Sequence, residues 1–262
     1  MDGFYLICAY VLSAVLGLCV GSFLNVVIYR LPLNMSLSKP NSHCTHCGYE
    51  LRWYDNIPLL SYVMLGGRCR KCKKHISLRY TVVELVNMIL WLLTAYLFIE
   101  KSIPLACIYM IALSVFICIF FIDLEHKIIF DRFQIILLLL GMLSIIFDRD
   151  YGWLSHVIGG VGGFLVFYLI SLAYEKLCHL EGLGGGDVKL AGVVGLLLGW
   201  EKLLFGLVAA TIPAAVILLI LSRGKEGENR QFPFAPFLTI GFAVSMLFGR
   251  QIIEWYVSLF GL

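Results

Sequence analysis

The stretch GLGGGDVK, residues 182–189, decides how the rest of the chain is read. Glycines at 182 and at 184, 185 and 186 open backbone conformations closed to other residues and let neighbouring segments approach closely. The run delivers one carboxylate, Asp187, directly before an apolar segment. A glycine-rich run before a helix suggests phosphate binding, but no strand pattern precedes this one and the GxxxxGK[ST] spacing is missing. The flanking sequence is mostly hydrocarbon. An ionisable group at the edge of such a segment reads as a functional residue whose partner is to be found.

Of 262 residues, 60% are hydrophobic and only 14% charged, against about 25% charged in soluble domains. The composition is that of an integral membrane protein. Residues 3–29 carry no Asp, Glu, Lys or Arg, long enough to cross a bilayer, which takes about 20 apolar residues. This first span lacks the basic start and small-residue cleavage site of a secretory signal and is read as retained. Further apolar runs lie at about 81–99, 103–122, 133–147, 155–174, 188–200, 203–221 and 236–255. The expected fold is therefore an all-α polytopic membrane protein of about eight transmembrane helices, with one small hydrophilic loop domain. The runs 133–147 and 188–200 are short enough to be tilted, re-entrant or extended by their flanks.

Orientation follows from the basic residues. Strict alternation puts residues 30–79, 123–132, 175–189 and 222–235 on one side, and these segments hold 16 of the 20 Lys and Arg. The other four, Lys101, Arg149, Lys202 and Arg250, fall opposite. Basic loops stay in the cytoplasm, so Asp187 is expected at the cytoplasmic face of the membrane.

On that same face the third span closes with FFIDLEHKIIFD, residues 120–131. Asp123 is its first charged residue; Glu125, His126 and Asp131 compete with it. A carboxylate at a span boundary is commonly a solvated flank, yet topology places Asp123 and Asp187 at one membrane level. Two facing carboxylates in a low-dielectric site share a proton and titrate as a pair. One then serves as general base on water while the other polarises a carbonyl, without metal, serine or cysteine.

Residues 44–72 read CTHCGYELRWYDNIPLLSYVMLGGRCRKC: two Cys-x2-Cys pairs separated by 21 residues. Cys44, Cys47, Cys69 and Cys72 form a candidate four-thiolate zinc site of zinc-ribbon type, structural because four protein ligands leave no open position. Gly48 and Gly67 are expected to give the knuckles room, and His43, His46 and His75 to be surface residues. A cytoplasmic location argues against disulfides. The basic cluster Arg68, Arg70, Lys71, Lys73, Lys74 and Arg79 is explained by anionic lipid headgroups, so nucleic acid is not an expected partner. The single cysteines Cys8, Cys19, Cys107, Cys118 and Cys178 are expected to be buried small apolar residues.

Taken together, GSFLNVVIYRLP at 21–32, the paired Cys-x2-Cys, GGRCRKC at 66–72, ISLRYTVVEL at 76–85, the Asp123–Asp131 segment and GLGGGDVKLAG at 182–192 resemble the bacterial type IV prepilin peptidases. The resemblance implies a GxGD-type membrane aspartic protease with Asp123 and Asp187 as its catalytic pair and Gly184, Gly185 and Gly186 as the active-site loop. It implies prepilin or pseudopilin substrates, cut after a short basic leader, and methylation of the new amino terminus from S-adenosylmethionine. It also implies a division into a first span (1–29), a methyltransferase-associated cysteine loop domain (30–80) and a transmembrane peptidase domain (81–262). Phe130 and Thr81 stand where the family commonly has proline. No dinucleotide-type glycine fingerprint locates the methyl-donor site. A noncatalytic scaffold or transporter built on the zinc loop, and a presenilin-type general protease, are the competing readings; the latter leaves the amino-terminal motif and cysteine loop unexplained.

Overall fold

The structure, a computed structural model, describes residues 3–178, 184–222 and 233–259, without the side chains at 178, 221 and 222. Gly182 and Cys178's side chain thus lie outside the described residues. The chain divides into two compact units, Met1–Ala106 and Cys107–Leu262.

In the first unit, α1 (Gly3–Arg30) packs against α3 (Leu78–Phe98), with a loop between them that carries a 3-10 turn at Trp53–Asn56 and the short α2 (Leu60–Met64). Without a hydrophobic drive between helices in lipid, small residues and buried amides hold such a pair. A Cβ on Gly21 would stand 2.8 Å from the Glu84 Cα. Asn87 Nδ2 donates to the Gly17 carbonyl (2.7 Å), and Asn25 Nδ2 to the Tyr80 carbonyl (3.0 Å). Ser77 caps α3 by accepting from the Arg79 N–H (3.3 Å).

The second unit takes nearly all of α4 (Ile103–His126), then α5 (Asp131–Phe147), α6 (Trp153–Cys178), α7 (Gly185–Leu198), α8 (Trp200–Ser222) and α9 (Ala235–Leu259). Helix α7 packs on α5 and α6, and α8 on α9. The α6–α7 crossing is backbone on backbone: a Cβ on Gly195 would lie 2.1 Å from the Gly159 carbonyl oxygen, and one on Gly163 2.8 Å from that of Ala191. Gly199, at φ 83°, ends α7 and lets α8 begin at once. These contacts fix the height at which α7 presents Asp187.

All eight apolar runs are helices, and the fold is all-α among the described residues. Six of them have the length and apolarity to cross a membrane. Helices α5 and α7, with 17 and 14 residues, rise only about 25 and 21 Å at 1.5 Å per residue, short of a hydrocarbon core of about 30 Å.

Three single cysteines depart from expectation: Cys8, Cys19 and Cys107 are exposed, and only Cys118 is buried. Cys8 and Cys19 lie on α1, whose exposed side chains include Phe4, Ile7, Val11 and Leu16, and Cys107 lies on α4 between the exposed Ile103 and Ile111, where lipid rather than protein satisfies a small apolar side chain. Two of the four basic residues opposite the main basic side are neutralised in place. Lys202 is buried with Asp148 (Nζ–Oδ2 3.5 Å), and Arg250 pairs with Asp150 and Glu254.

Candidate active site and metal centre

Asp123 belongs to the last turn of α4, not to the loop after it, and is only 6% exposed. The N–H of Ala235, first residue of α9, reaches its carboxylate, so a helix amino terminus with its partial positive charge faces Asp123. Asp187 occupies the third position of α7, behind Gly184, which precedes the helix at φ −61° and ψ 133°. Its Oδ2 folds back so closely that a Cβ on Gly184 would stand 3.3 Å from it. Asp187 therefore stands at the amino terminus of its own helix and Asp123 faces that of α9, and their charges lie within electrostatic range of one another.

Each keeps one oxygen in reserve. Asp123 Oδ2 and Asp187 Oδ1 are buried and have no hydrogen-bond partner. A buried acceptor left unpaired costs free energy, and each of these oxygens is open to a hydrogen bond from a water or a substrate. The competing residues Glu125, His126 and Asp131 are exposed, Asp131 being taken up by an ion pair with Lys189 (2.6 Å).

The glycines have separate reasons. A Cβ on Gly186 would stand 3.0 Å from the Ile129 Cβ, whereas Gly185 meets nothing within 4 Å. Gln134 of α5, 5% exposed, donates its Nε2–H to the Gly186 carbonyl (3.1 Å). This residue escaped the sequence reading; a lone amide in the otherwise apolar α5 is the signal that marks it. Phe130 takes φ −75°, within the range that a proline ring imposes, about −65 ± 15°. The turn after Asp123 is thus the one a proline would give.

In the hydrophilic loop the four candidate thiols converge. The sulfurs of Cys44, Cys47, Cys69 and Cys72 all lie within 4.8 Å of one another; Cys44–Cys72 is 3.8 Å and Cys47–Cys69 4.0 Å. A tetrahedral zinc with Zn–S near 2.3 Å requires S–S edges of about 3.8 Å, so the set fits the ion. Hydrogen bonds from the Cys72 and Lys71 backbone lower the Cys69 thiol to about 7, easing loss of its proton to a metal. The cage rests on two matching turns, with bridges His43–Glu50 and Arg68–His75. Gly48 supplies the left-handed residue of the first (φ 67°) and Lys73 that of the second (φ 59°), while Gly67, also left-handed (φ 67°), leads into the second where a Cβ would lie 2.7 Å from the Tyr62 hydroxyl. His46 and His75 are exposed and His43 half-buried, its Nδ1 2.9 Å from the Asn41 carbonyl.

Asp55 braces the cage. Burial alone would raise its carboxyl, but the Arg70 guanidinium (2.7 Å), the Arg52 N–H and the Tyr49 hydroxyl outweigh burial and hold it below the usual range.

Residues 15–98 match the bacterial peptidase A24 N-terminal domain, and residues 110–219 the type IV leader peptidase family. Among curated proteins, a prepilin leader peptidase/N-methyltransferase of Burkholderia pseudomallei is 35% identical over 90% of this chain and 84% of its own length. Its namesake in Aeromonas hydrophila is 33% identical over 93% and 92%, and that of Myxococcus xanthus 39% identical over 83% and 66%. No solved structure gives a significant match.

Proposed function

This chain belongs to the type IV leader peptidase family, and we propose that it removes the leader of prepilins or pseudopilins with Asp123 and Asp187 as its catalytic pair. The observation that carries the assignment is the pair of buried, partnerless oxygens, Asp123 Oδ2 and Asp187 Oδ1. Of two such carboxylates, the ionised one takes a proton from water, whose oxygen attacks the scissile carbonyl carbon. The protonated one donates to that carbonyl oxygen as charge builds on it. Collapse breaks the carbon–nitrogen bond as the leaving amine gains a proton. Gln134 and Ile129 hold the α7 start, and with it Asp187, in place.

N-methylation of the new amino terminus belongs to the same family activity. When bound, S-adenosylmethionine supplies an electrophilic methyl group for that amine. The four cysteines hold a structural zinc, in keeping with their sulfur spacing. The protein is a multi-pass inner-membrane protein. The basic loops, and with them both aspartates and the zinc loop, face the cytoplasm, where leaders emerge. The divisions proposed are a first span at 1–29, the methyltransferase-associated loop at 30–80 and the peptidase at 81–262, whose first helix, α3, packs with α1 in the unit that ends at Ala106. Anionic lipid, not nucleic acid, answers the basic cluster.

The test is mass spectrometry of a prepilin with a basic leader, incubated with the enzyme in liposomes and S-adenosylmethionine. The expected product lacks the leader and carries one added methyl on its new amino terminus. An intact prepilin from folded enzyme would contradict the assignment.

A further inference from the structure

Beside the four cysteines, the first unit holds a cavity of about 740 Å³, within the ~300–1,000 Å³ common for small-molecule sites. Cys44 of the cage forms part of its wall, and Asn25 of α1 and Glu84 of α3 line it. Both are more than nine-tenths buried, at 3% and 8% exposure. The Glu84 carboxylate accepts from the Leu59 N–H (2.9 Å) and from the Ser22 hydroxyl, two neutral donors that leave its charge uncompensated. Asn25 spends its Nδ2 hydrogens on the Tyr80 and Gly21 carbonyls, while its Oδ1 is buried with no partner.

A charge and an orphan acceptor on one buried wall call for a ligand bearing positive charge and hydrogen-bond donors. Arg30 does not answer them, being committed to the Ser36, Leu37 and Pro40 carbonyls. Nor does Arg70, which is held by Asp55. Lys74 also lines the cavity and suits a ligand that carries a carboxylate besides its cation.

We propose that this cavity binds the S-adenosyl methyl donor, with Glu84 and Asn25 as the residues that take its cationic end. The assignment rests on the methyltransferase reading above and locates its site. In the transfer, the amine nitrogen of the processed pilin forms a bond to the methyl carbon and the sulfur–methyl bond breaks. Sulfur keeps the electron pair and becomes a neutral thioether, and the new ammonium loses one proton to solvent. The sulfonium and α-ammonium of the donor match Glu84 and Asn25 Oδ1, and its carboxylate matches Lys74.

Binding of tritiated S-adenosylmethionine to the zinc-loaded full chain in nanodiscs tests this, together with ultraviolet cross-linking and peptide mapping of the wild type. Glu84→Gln preserves shape and the acceptor for Leu59, and is expected to weaken donor binding at least tenfold, with Glu84→Asp recovering part. The label is expected on peptides within residues 22–84. Zinc content and melting temperature confirm that each variant is folded. Unchanged donor affinity in folded Glu84→Gln, or label confined outside 22–84, overturns the site, as does a variant that loses affinity only for the leaderless pilin peptide. Wild type that binds no donor and adds no methyl would instead overturn the methyltransferase reading itself.

Discussion

Gln134 and Gly186, 52 residues apart, are joined by a 3.1 Å hydrogen bond from the amide of α5 to the carbonyl that immediately precedes Asp187. The glycine loop is thereby tied to a helix that takes no part in the proposed chemistry. Gln134→Leu leaves that carbonyl unpaired and lets Asp187 drift; a misplacement near 1 Å costs about a hundredfold in rate. The expected result is a kcat lower by about ten- to a hundredfold with KM little changed. A variant with wild-type kcat would show that the bond does not position Asp187.

Lys73 holds a left-handed backbone at φ 59° where the first knuckle uses Gly48. A side chain in that conformation costs about 1–2 kcal/mol. Lys73→Gly is accordingly expected to slow zinc release to a chelator, and Gly48→Ala to speed it. Metal analysis of the purified chain is expected to give one zinc per chain, falling well below one in Cys69→Ser. A zinc-free wild type would refute the cage.

Asp55 is held below the ordinary carboxylate range, so its contribution to the loop is complete above the unfolded value near pH 4. It fades only as pH falls through the lower native value. Asp55→Asn is expected to lower the melting temperature by about 2–4 °C, equally at pH 6 and pH 8. A loss that shrinks between those two pH values would contradict the charge state assigned to Asp55.

The hydropathy of the sequence was enough to place eight helices within a few residues of their observed ends, because lipid demands that every apolar run close its own backbone hydrogen bonds. The cysteine cage was equally legible, since ligand spacing carries tetrahedral geometry with it. Asp123 and Asp187 were readable as the charged exceptions in apolar surroundings. Gln134, Lys73 and Asn25 were not, since each acts on a carbonyl, a dihedral or a cavity that exists only after α5, the second knuckle and the α1–α3 pair have formed. The expectation that Cys8, Cys19 and Cys107 are buried failed because hydrophobicity does not distinguish a protein interior from a lipid-facing surface.

The cluster around Asp148 was hidden for the same reason. Tyr109, Asp148, His156 and Lys202 come from separate elements, and all are buried. Lys202 Nζ lies 3.5 Å from Asp148 Oδ2 and 4.5 Å from the centre of the Tyr151 ring. Removing one partner of a buried pair strands the other at a cost of about 3–5 kcal/mol. Lys202→Met is expected to destabilise by that amount, and Lys202→Met with Asp148→Asn by less than Lys202→Met alone. Additive losses in thermal melts would show that the pair is not coupled.

The most direct test of the catalytic pair is the rate of leader cleavage by Asp123→Asn and by Asp187→Asn, each shown to be folded by its melting temperature, beside Glu125→Gln and His126→Gln. Each Asn variant is expected to lose at least about 10²–10⁴-fold in kcat, while the exposed neighbours keep wild-type rates. Cleavage within tenfold of wild type by either folded Asn variant would contradict the assignment of Asp123 and Asp187 as the pair that cuts the leader.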